Sequence, residues 1–337
     1  MDQGPSAAVR QHLPGLGENM FRYVLGRLPS AVVVLFLASL LIFSVMRLVP
    51  GDPALALAGP DATPESIEAI RHSLGLDQSI PAQYLSWIGD VLTLDLGRSF
   101  VLGGQISDLV LAGLGNTAVL AGSALLLAVV LSLILSVAVV VWPKKWLTSV
   151  VNVLNTLSVA LPNFVTGVLL VLVFAVLIPV LPSGGVPPGG YLARPDITLQ
   201  YLVLPSLCLA LPVTAALTRF LSEALRTEMA QQYVITAQAA GVTRWNLVTR
   251  SALRNALPTM LTVLGIQTGH LLGGAVLVEA IFAWPGIGQL IQQGIGRRDY
   301  PVVQVLLLLS VTIFVLIQLL TDIVHAYLDP RIRIGGQ

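Results

Sequence analysis

The sequence predicts an all-α membrane protein with six transmembrane helices and both termini in the cytoplasm, and three observations predict it. Hydrophobic residues make up 55% of the 337 residues and charged residues only 10%, with a mean hydropathy of +0.85. A soluble domain of this size needs far more charge to cover its surface. Six apolar stretches are each long enough to cross about 30 Å of hydrocarbon as a helix. The basic residues fall unequally on the two sides of those stretches.

The stretches run over 28–49, 117–141, 150–180, 200–217, 257–281 and 302–326. Arg22 and Arg27 precede the first, as they would in a signal peptide. Its apolar length and the lack of a small-residue cleavage site favour a retained anchor instead. The third is long enough to tilt, or to end early at Pro179. With the N-terminus inside, twelve of the 18 Lys and Arg lie in cytoplasmic segments. Arg47, Arg71, Arg98, Arg194, Arg297 and Arg298 lie outside, and this bias sets the orientation.

The chain then divides into a cytoplasmic tail (1–27), a first helix (28–49), an external helical subdomain (50–116), a five-helix core (117–326) and a second tail (327–337). In the external part, Thr63-Pro64-Glu65 starts a helix that runs to about Ser73 and ends at Gly75. Pro81 opens another, with Tyr84, Leu85, Ile88 and Val91 at helical spacing, and 94–99 reads as a turn. Asp52, Asp61, Glu65, Glu68, Asp77, Asp90, Asp95 and Asp108 make this segment acidic.

Segment 219–258 is basic, rich in small residues and without a lipid-like face. Residues 229–240 are good helix formers, and Gly241 can take the left-handed conformation that closes a helix. Thr243 is placed to cap a second helix starting at Arg244. The expected product is a helix–turn–helix elbow projecting from the membrane. Thr236, Ala237, Ala239 and Ala240 give it a thin face that a partner's groove can approach closely. An ordinary solvated connection is the alternative reading.

Within the spans, Pro162, Pro205 and Pro212 each remove a backbone hydrogen bond, leaving carbonyls for packing or for a watery pathway. Gly265, Gly269 and Gly273 form a small-residue stripe that suits either intrachain packing or a pathway wall facing a partner. His270 lies beside that stripe as the only ionisable group well inside a span, read as a neutral imidazole bonded to a neighbouring carbonyl. Span interiors are read as free of acids. Arg297, Arg298 and Asp299, beside Pro285-Gly286, form a candidate gate or a contact for an extracytoplasmic protein.

Other functions are disfavoured. A net charge of +1 says nothing about nucleic acid, and the arginines read as spread topology markers with no basic patch interleaved with aromatics. The single Cys208 allows neither an internal disulfide nor a thiolate metal site. His12, His72, His270 and His325 lack ligand spacing, so no metal and no cofactor is expected in this subunit. There is no GxxxxGK[ST] loop, and Lys144 and Lys145 are the only lysines. The chain therefore cannot cradle ATP phosphates in the usual way. No Ser/His/Asp or HExxH constellation lies in the spans.

Tyr233, Val234, Thr236, Ala237, Ala239 and Gly241, followed by Ala252-Leu253-Arg254-Asn255-Ala256-Leu257-Pro258, resemble the cytoplasmic motif of bacterial ABC importer permeases. The dipeptide/oligopeptide/nickel family is the most similar. Ile235 stands where the general motif has an acid, and Ser251 replaces a usual His. The resemblance covers nearly the whole chain. Arg47-Leu48-Val49-Pro50-Gly51-Asp52-Pro53, Leu74-Gly75-Leu76-Asp77, Gln83-Tyr84 with Trp87, and Asp95-Leu96-Gly97 with Ser99 follow in order. Pro162 with Phe164 and Gly167 comes next. Glu279, Phe282, Pro285-Gly286, Gly288, Arg298-Asp299-Tyr300-Pro301 and finally Asp329-Pro330-Arg331 complete the series.

The resemblance implies a type I importer permease in a bacterial cell membrane, carrying di- or oligopeptides. It also implies a homologous second permease, one or two P-loop ATPase subunits holding ATP and Mg, and an extracytoplasmic substrate-binding protein. Tyr233, Thr236, Ala237, Ala239, Ala240, Gly241, Thr243 and Arg244 would meet the ATPase. Glu279, Pro285, Gly286, Arg298 and Asp299 would form an external gate or binding-protein contact. Nickel or another small solute remains an alternative cargo. A stand-alone ion-coupled carrier or channel is the alternative class.

Overall fold

Five of the six apolar stretches become helices longer than hydrocarbon requires, because intrahelical bonding satisfies the backbone at any depth. In the computed structural model, residues 16–48, 53–58, 62–73, 75–99, 101–187 and 194–328 are described. The first long helix is α1 (Leu16–Leu48). Three short ones follow, α2 (Pro53–Ala58), α3 (Pro64–Ser73) and α4 (Ile80–Leu92). The core holds α5 (Ile106–Val141), α6 (Lys145–Ala160), α7 (Asn163–Val171), α8 (Pro195–Met229), α9 (Gln232–Ala239) and α10 (Arg244–Asn246). It is completed by α11 (Leu253–Ile281), α12 (Ile287–Arg297) and α13 (Tyr300–Leu328). The expectations for the tails, for the 49–52 part of the RLVPGDP run and for Asp329-Pro330-Arg331 lie outside the described residues.

Among the described residues, five helices are long and apolar enough to cross a membrane, or six if α6 and α7 count as one bent span. That pair corrects the expected third span, read as one helix over 150–180. α6 and α7 meet at 110°, because Leu161 precedes Pro162 and is held extended (φ −85°, ψ 125°). α7 ends through a π-helical turn, Leu172–Leu177. Segment 219–258 is corrected too. α8 carries its helix through to Met229, and a π-helical turn, Leu247–Ala252, joins α10 to α11. The elbow proper is therefore short.

Thr63 Oγ1 accepts the Ser66 amide at 3.3 Å and Gly75 has φ +62°, so α3 starts and stops as its residues predict. α4 docks on α1 through Phe43, Tyr84 and Trp87, with ring centroids 5.4 to 6.2 Å apart. Tyr84 also shares a 2.8 Å hydrogen bond with Ser39.

The core sits where α5 and α11 flank α8. On α5, Ala121, Ala124, Ala128, Ser132 and Ser136 are buried at spacings of three or four, a stripe that lets α8 approach closely. Ser123 and Ser206 hydroxyls lie 2.7 Å apart across this contact, and Ser136 donates to the Thr218 carbonyl. This stripe escaped the sequence reading, which gave that role to the glycines of α11.

Candidate functional site

Three features could carry function: a cavity along α6, a carboxylate network at one end of the bundle, and the elbow at the other.

The cavity has a volume of about 1170 Å³, and Pro162 and Pro212 both line it. Pro205 is buried inside α8 instead. The wall comes from α6, whose two faces differ. Thr148, Asn152, Asn155 and Thr156 line the cavity together with Asn163 and Gln267. Trp146, Val150, Val153, Leu154 and Leu157 point away and are exposed. Four of those lining groups are carboxamides, each able to donate and accept. Arg219, Glu223 and Arg226 also border the cavity.

The glycine stripe of α11 resolves into different jobs. A Cβ at Gly269 would lie 3.5 Å from Phe314 of α13. The Gly265 carbonyl accepts the Thr321 hydroxyl at 3.2 Å. Both therefore serve intrachain packing. Gly273 is exposed beside a smaller cavity of about 250 Å³. The tight approach is at Gly274, where a Cβ would lie 2.6 Å from Asn163 Nδ2. His270 corrects an expectation: it is exposed on the outer face of α11 and makes no hydrogen bond among the described residues.

Glu279 and Asp299 are each 0% exposed, so a span does hold a buried acid and neither group is a surface contact. Glu279 accepts the Thr117 hydroxyl and the Gly288 amide, both at 2.6 Å. Thr117 Oγ1 in turn accepts the Ile287 amide at 3.0 Å. The carboxylate thus caps the first turn of α12, where free amides and the helix dipole favour negative charge. Asn116 Nδ2 donates to the Pro285 carbonyl, and Trp284 Nε1 donates to that of Asn116, both at 2.8 Å. A Cβ at Gly286 would run into the Glu279 carboxylate.

Asp299 Oδ2 accepts Ser99 Oγ at 2.5 Å and the amides of Val101 and Leu102 at 3.2 and 3.4 Å. It closes the turn before α5 onto the α12–α13 corner. Arg298 is left-handed there, with φ +58°, and exposed. Sequence reasoning assigned the two acids to the surface, whereas both are buried.

In the elbow, Gly241 has φ +85°. Its amide reaches the Gln238 carbonyl at 2.9 Å, and the Val242 amide reaches that of Ala237 at 3.1 Å. These bonds close α9 as glycine at this position permits. Thr243 sits at the cap of α10 and accepts the Leu247 amide through its carbonyl. Its side chain makes no capping bond, contrary to expectation. Val234 anchors α9 at 0% exposure, whereas Tyr233 and Ile235 are 44% and 58% exposed. Thr236, Ala239 and Ala240 are exposed, and Ala237 is half-buried.

Two side chains brace the elbow: Glu228, to which sequence reasoning gave no role, and Arg244, which it expected to meet the ATPase. Glu228, at the end of α8, accepts Tyr233 Oη at 2.9 Å and Asn255 Nδ2 at 3.1 Å. Arg244 Nε donates to the Val140 carbonyl at 2.8 Å, at the C-terminus of α5, where a cation is favoured. Loss of hydration, then the bond to Glu228, holds the Tyr233 hydroxyl above the ordinary phenol value.

Residues 128–334 match the model of the binding-protein-dependent transport system inner membrane component, and residues 20–118 match the N-terminal model of the same system. The chain belongs to this family. It is 34% identical to the glutathione transport system permease protein GsiC of Escherichia coli K12 over 314 residues, covering 93% of this chain and 99% of that one. It is 37% identical, over the same shares, to a Brucella abortus protein provisionally named a peptide transport system permease protein. The family permease is a transport subunit of the bacterial inner membrane.

Proposed function

We propose that this chain forms half of the translocation pathway of an ATP-driven, binding-protein-dependent importer of di- and oligopeptides. A separate P-loop ATPase, holding ATP and Mg, would couple through the elbow at 233–246. Both termini would be cytoplasmic, with 50–116 external and facing the substrate-binding protein. A homologous second permease would complete the pathway.

The observation that carries this reading is the pairing of the braced elbow with the carboxamide-lined cavity. The elbow leaves α8 and enters α10, which a π-helical turn joins to α11, within fourteen residues, 230–243, and the walls of the cavity include α8 and, through Gln267, α11. A push on α9 therefore reaches the cavity through continuous helices, as rigid-body alternation requires. Neutral groups that both donate and accept suit the backbone of peptides whose side chains vary. The names of the two relatives support a peptide cargo.

Reconstitution in liposomes with its second permease, ATPase and binding protein tests the reading. Dipeptide uptake should require ATP and all partners. Uptake by the isolated chain without nucleotide would contradict it.

A further inference from the structure

At the elbow end of the bundle, the α5–α6 turn with the start of α6, the end of α8 and the start of α10 gather four cations and three indoles. Arg226 and Arg244 line a cavity of about 220 Å³, together with Val140, Pro143 and Thr148. Lys144 and Lys145 stand on the turn at its rim, both exposed. Arg244 spends Nε on the Val140 carbonyl, and its terminal nitrogens make no hydrogen bond among the described residues. Glu223 lies 3.7 Å from Arg226, and Glu228 is occupied by Tyr233 and Asn255. The patch therefore keeps a positive excess.

Trp142, Trp146 and Trp245 are 51%, 64% and 50% exposed, and the rings of Trp142 and Trp245 lie 5.9 Å apart. From this patch the outward face of α6 runs away as Trp146, Val150, Val153, Leu154 and Leu157, all exposed. Indoles at the boundary, cations on its watery side and an aliphatic stripe on the other match the layering of a membrane interface.

We propose that this patch binds the headgroup of an anionic phospholipid, its phosphate between Arg226 and Arg244 and its acyl chains along the outward face of α6. The aliphatic stripe leading out of the cations gives acyl chains a surface that a soluble acidic protein would leave bare. Because Arg244 also ties the elbow to α5, an occupied site holds the root of the elbow in place. The proposal rests on the membrane orientation given above, but not on the cargo or the ATPase.

The test titrates the purified full chain in neutral detergent with dioctanoyl phosphatidylglycerol or dioctanoyl phosphatidylcholine, following tryptophan fluorescence and calorimetric heat. Phosphatidylglycerol should bind saturably, and more weakly as salt rises. The triple variant Lys144→Gln/Lys145→Gln/Arg226→Gln, which leaves the Arg244 bond intact, should weaken it about tenfold or more. Arg194→Gln, on a distant segment, should leave it unchanged. If the triple variant unfolds, Lys144→Gln/Lys145→Gln alone should still weaken binding, by up to about thirtyfold.

Equal binding of the two lipids, or full affinity in the lysine variant, would overturn the proposal. So would an ATPase subunit that binds through the same cations while phosphatidylglycerol does not. No nucleotide or cargo enters the measurement, so failure here leaves the importer reading intact.

Discussion

Tyr233 and Asn255 both donate to one oxygen of Glu228, at 2.9 and 3.1 Å. That oxygen joins the end of α8, the first turn of α9 and the start of α11. Tyr233→Phe or Asn255→Ala should loosen the elbow without unfolding the bundle, since a hydrogen bond to a charged group contributes about 1.5–3 kcal/mol. In the reconstituted importer, peptide transported per ATP hydrolysed should fall several-fold while ATP hydrolysis persists. Unchanged stoichiometry in both variants would refute the brace.

The same bond gives a pH dependence. The Tyr233 pKa is raised from 10.0 by loss of hydration and then by Glu228. Its contribution is full below the ordinary value and is lost as pH rises through the raised one. Difference spectra of phenolate absorbance between the native chain and Tyr233→Phe should therefore place this tyrosine above a free phenol. A value at or below that of a free phenol would contradict the geometry.

Glu279 holds α12 against α5. Glu279→Leu strands the Gly288 amide and the Thr117 hydroxyl and should destabilise the chain by about 1–3 kcal/mol or more. Glu279→Gln keeps one acceptor and should lose less. Thermal unfolding in detergent gives the order; a leucine variant as stable as the parent would mean that the network contributes nothing.

Two glycines should separate by what lies opposite them. A Cβ at Gly288 would strike the Val276 backbone, whereas at Gly274 it meets the end of the Asn163 side chain. Overpacking typically costs about 1–3 kcal/mol, so Gly288→Ala should sit at or above that range and Gly274→Ala below it. Unfolding midpoints in the reverse order would refute the packing argument.

What could be read from the sequence followed local rules. The stop of α3, the left-handed Gly241 and the apolar stretches all depend on nearest neighbours and on hydropathy. The break at Leu161–Pro162 was visible as a proline, but its 110° bend depends on α7 packing against α8 and α11. Glu279 and Asp299 looked external because their partners, Thr117 and Ser99, lie 162 and 200 residues away. Glu228 went unnoticed because an acid beside Arg226 at the end of α8 resembles surface charge until Asn255 folds onto it. His270 faces outward because α11 turns its small-residue side to α13.

The cavity carries its own prediction. Asn155→Leu or Gln267→Leu should lower dipeptide uptake several-fold at constant ATP hydrolysis, because each removes a donor and an acceptor from the wall. Normal uptake in both variants would take the pathway elsewhere.

Gly241→Asp tests the central claim most directly. The glycine holds φ +85° with open space where a Cβ would stand, so the substitution disturbs the turn and its partner face while the spans stay packed. The expected result is normal amounts of the chain in the membrane and in the assembled importer, with ATP-dependent peptide uptake abolished. Uptake at the parental rate in the reconstituted complex would show that the elbow does not couple the motor to the pathway.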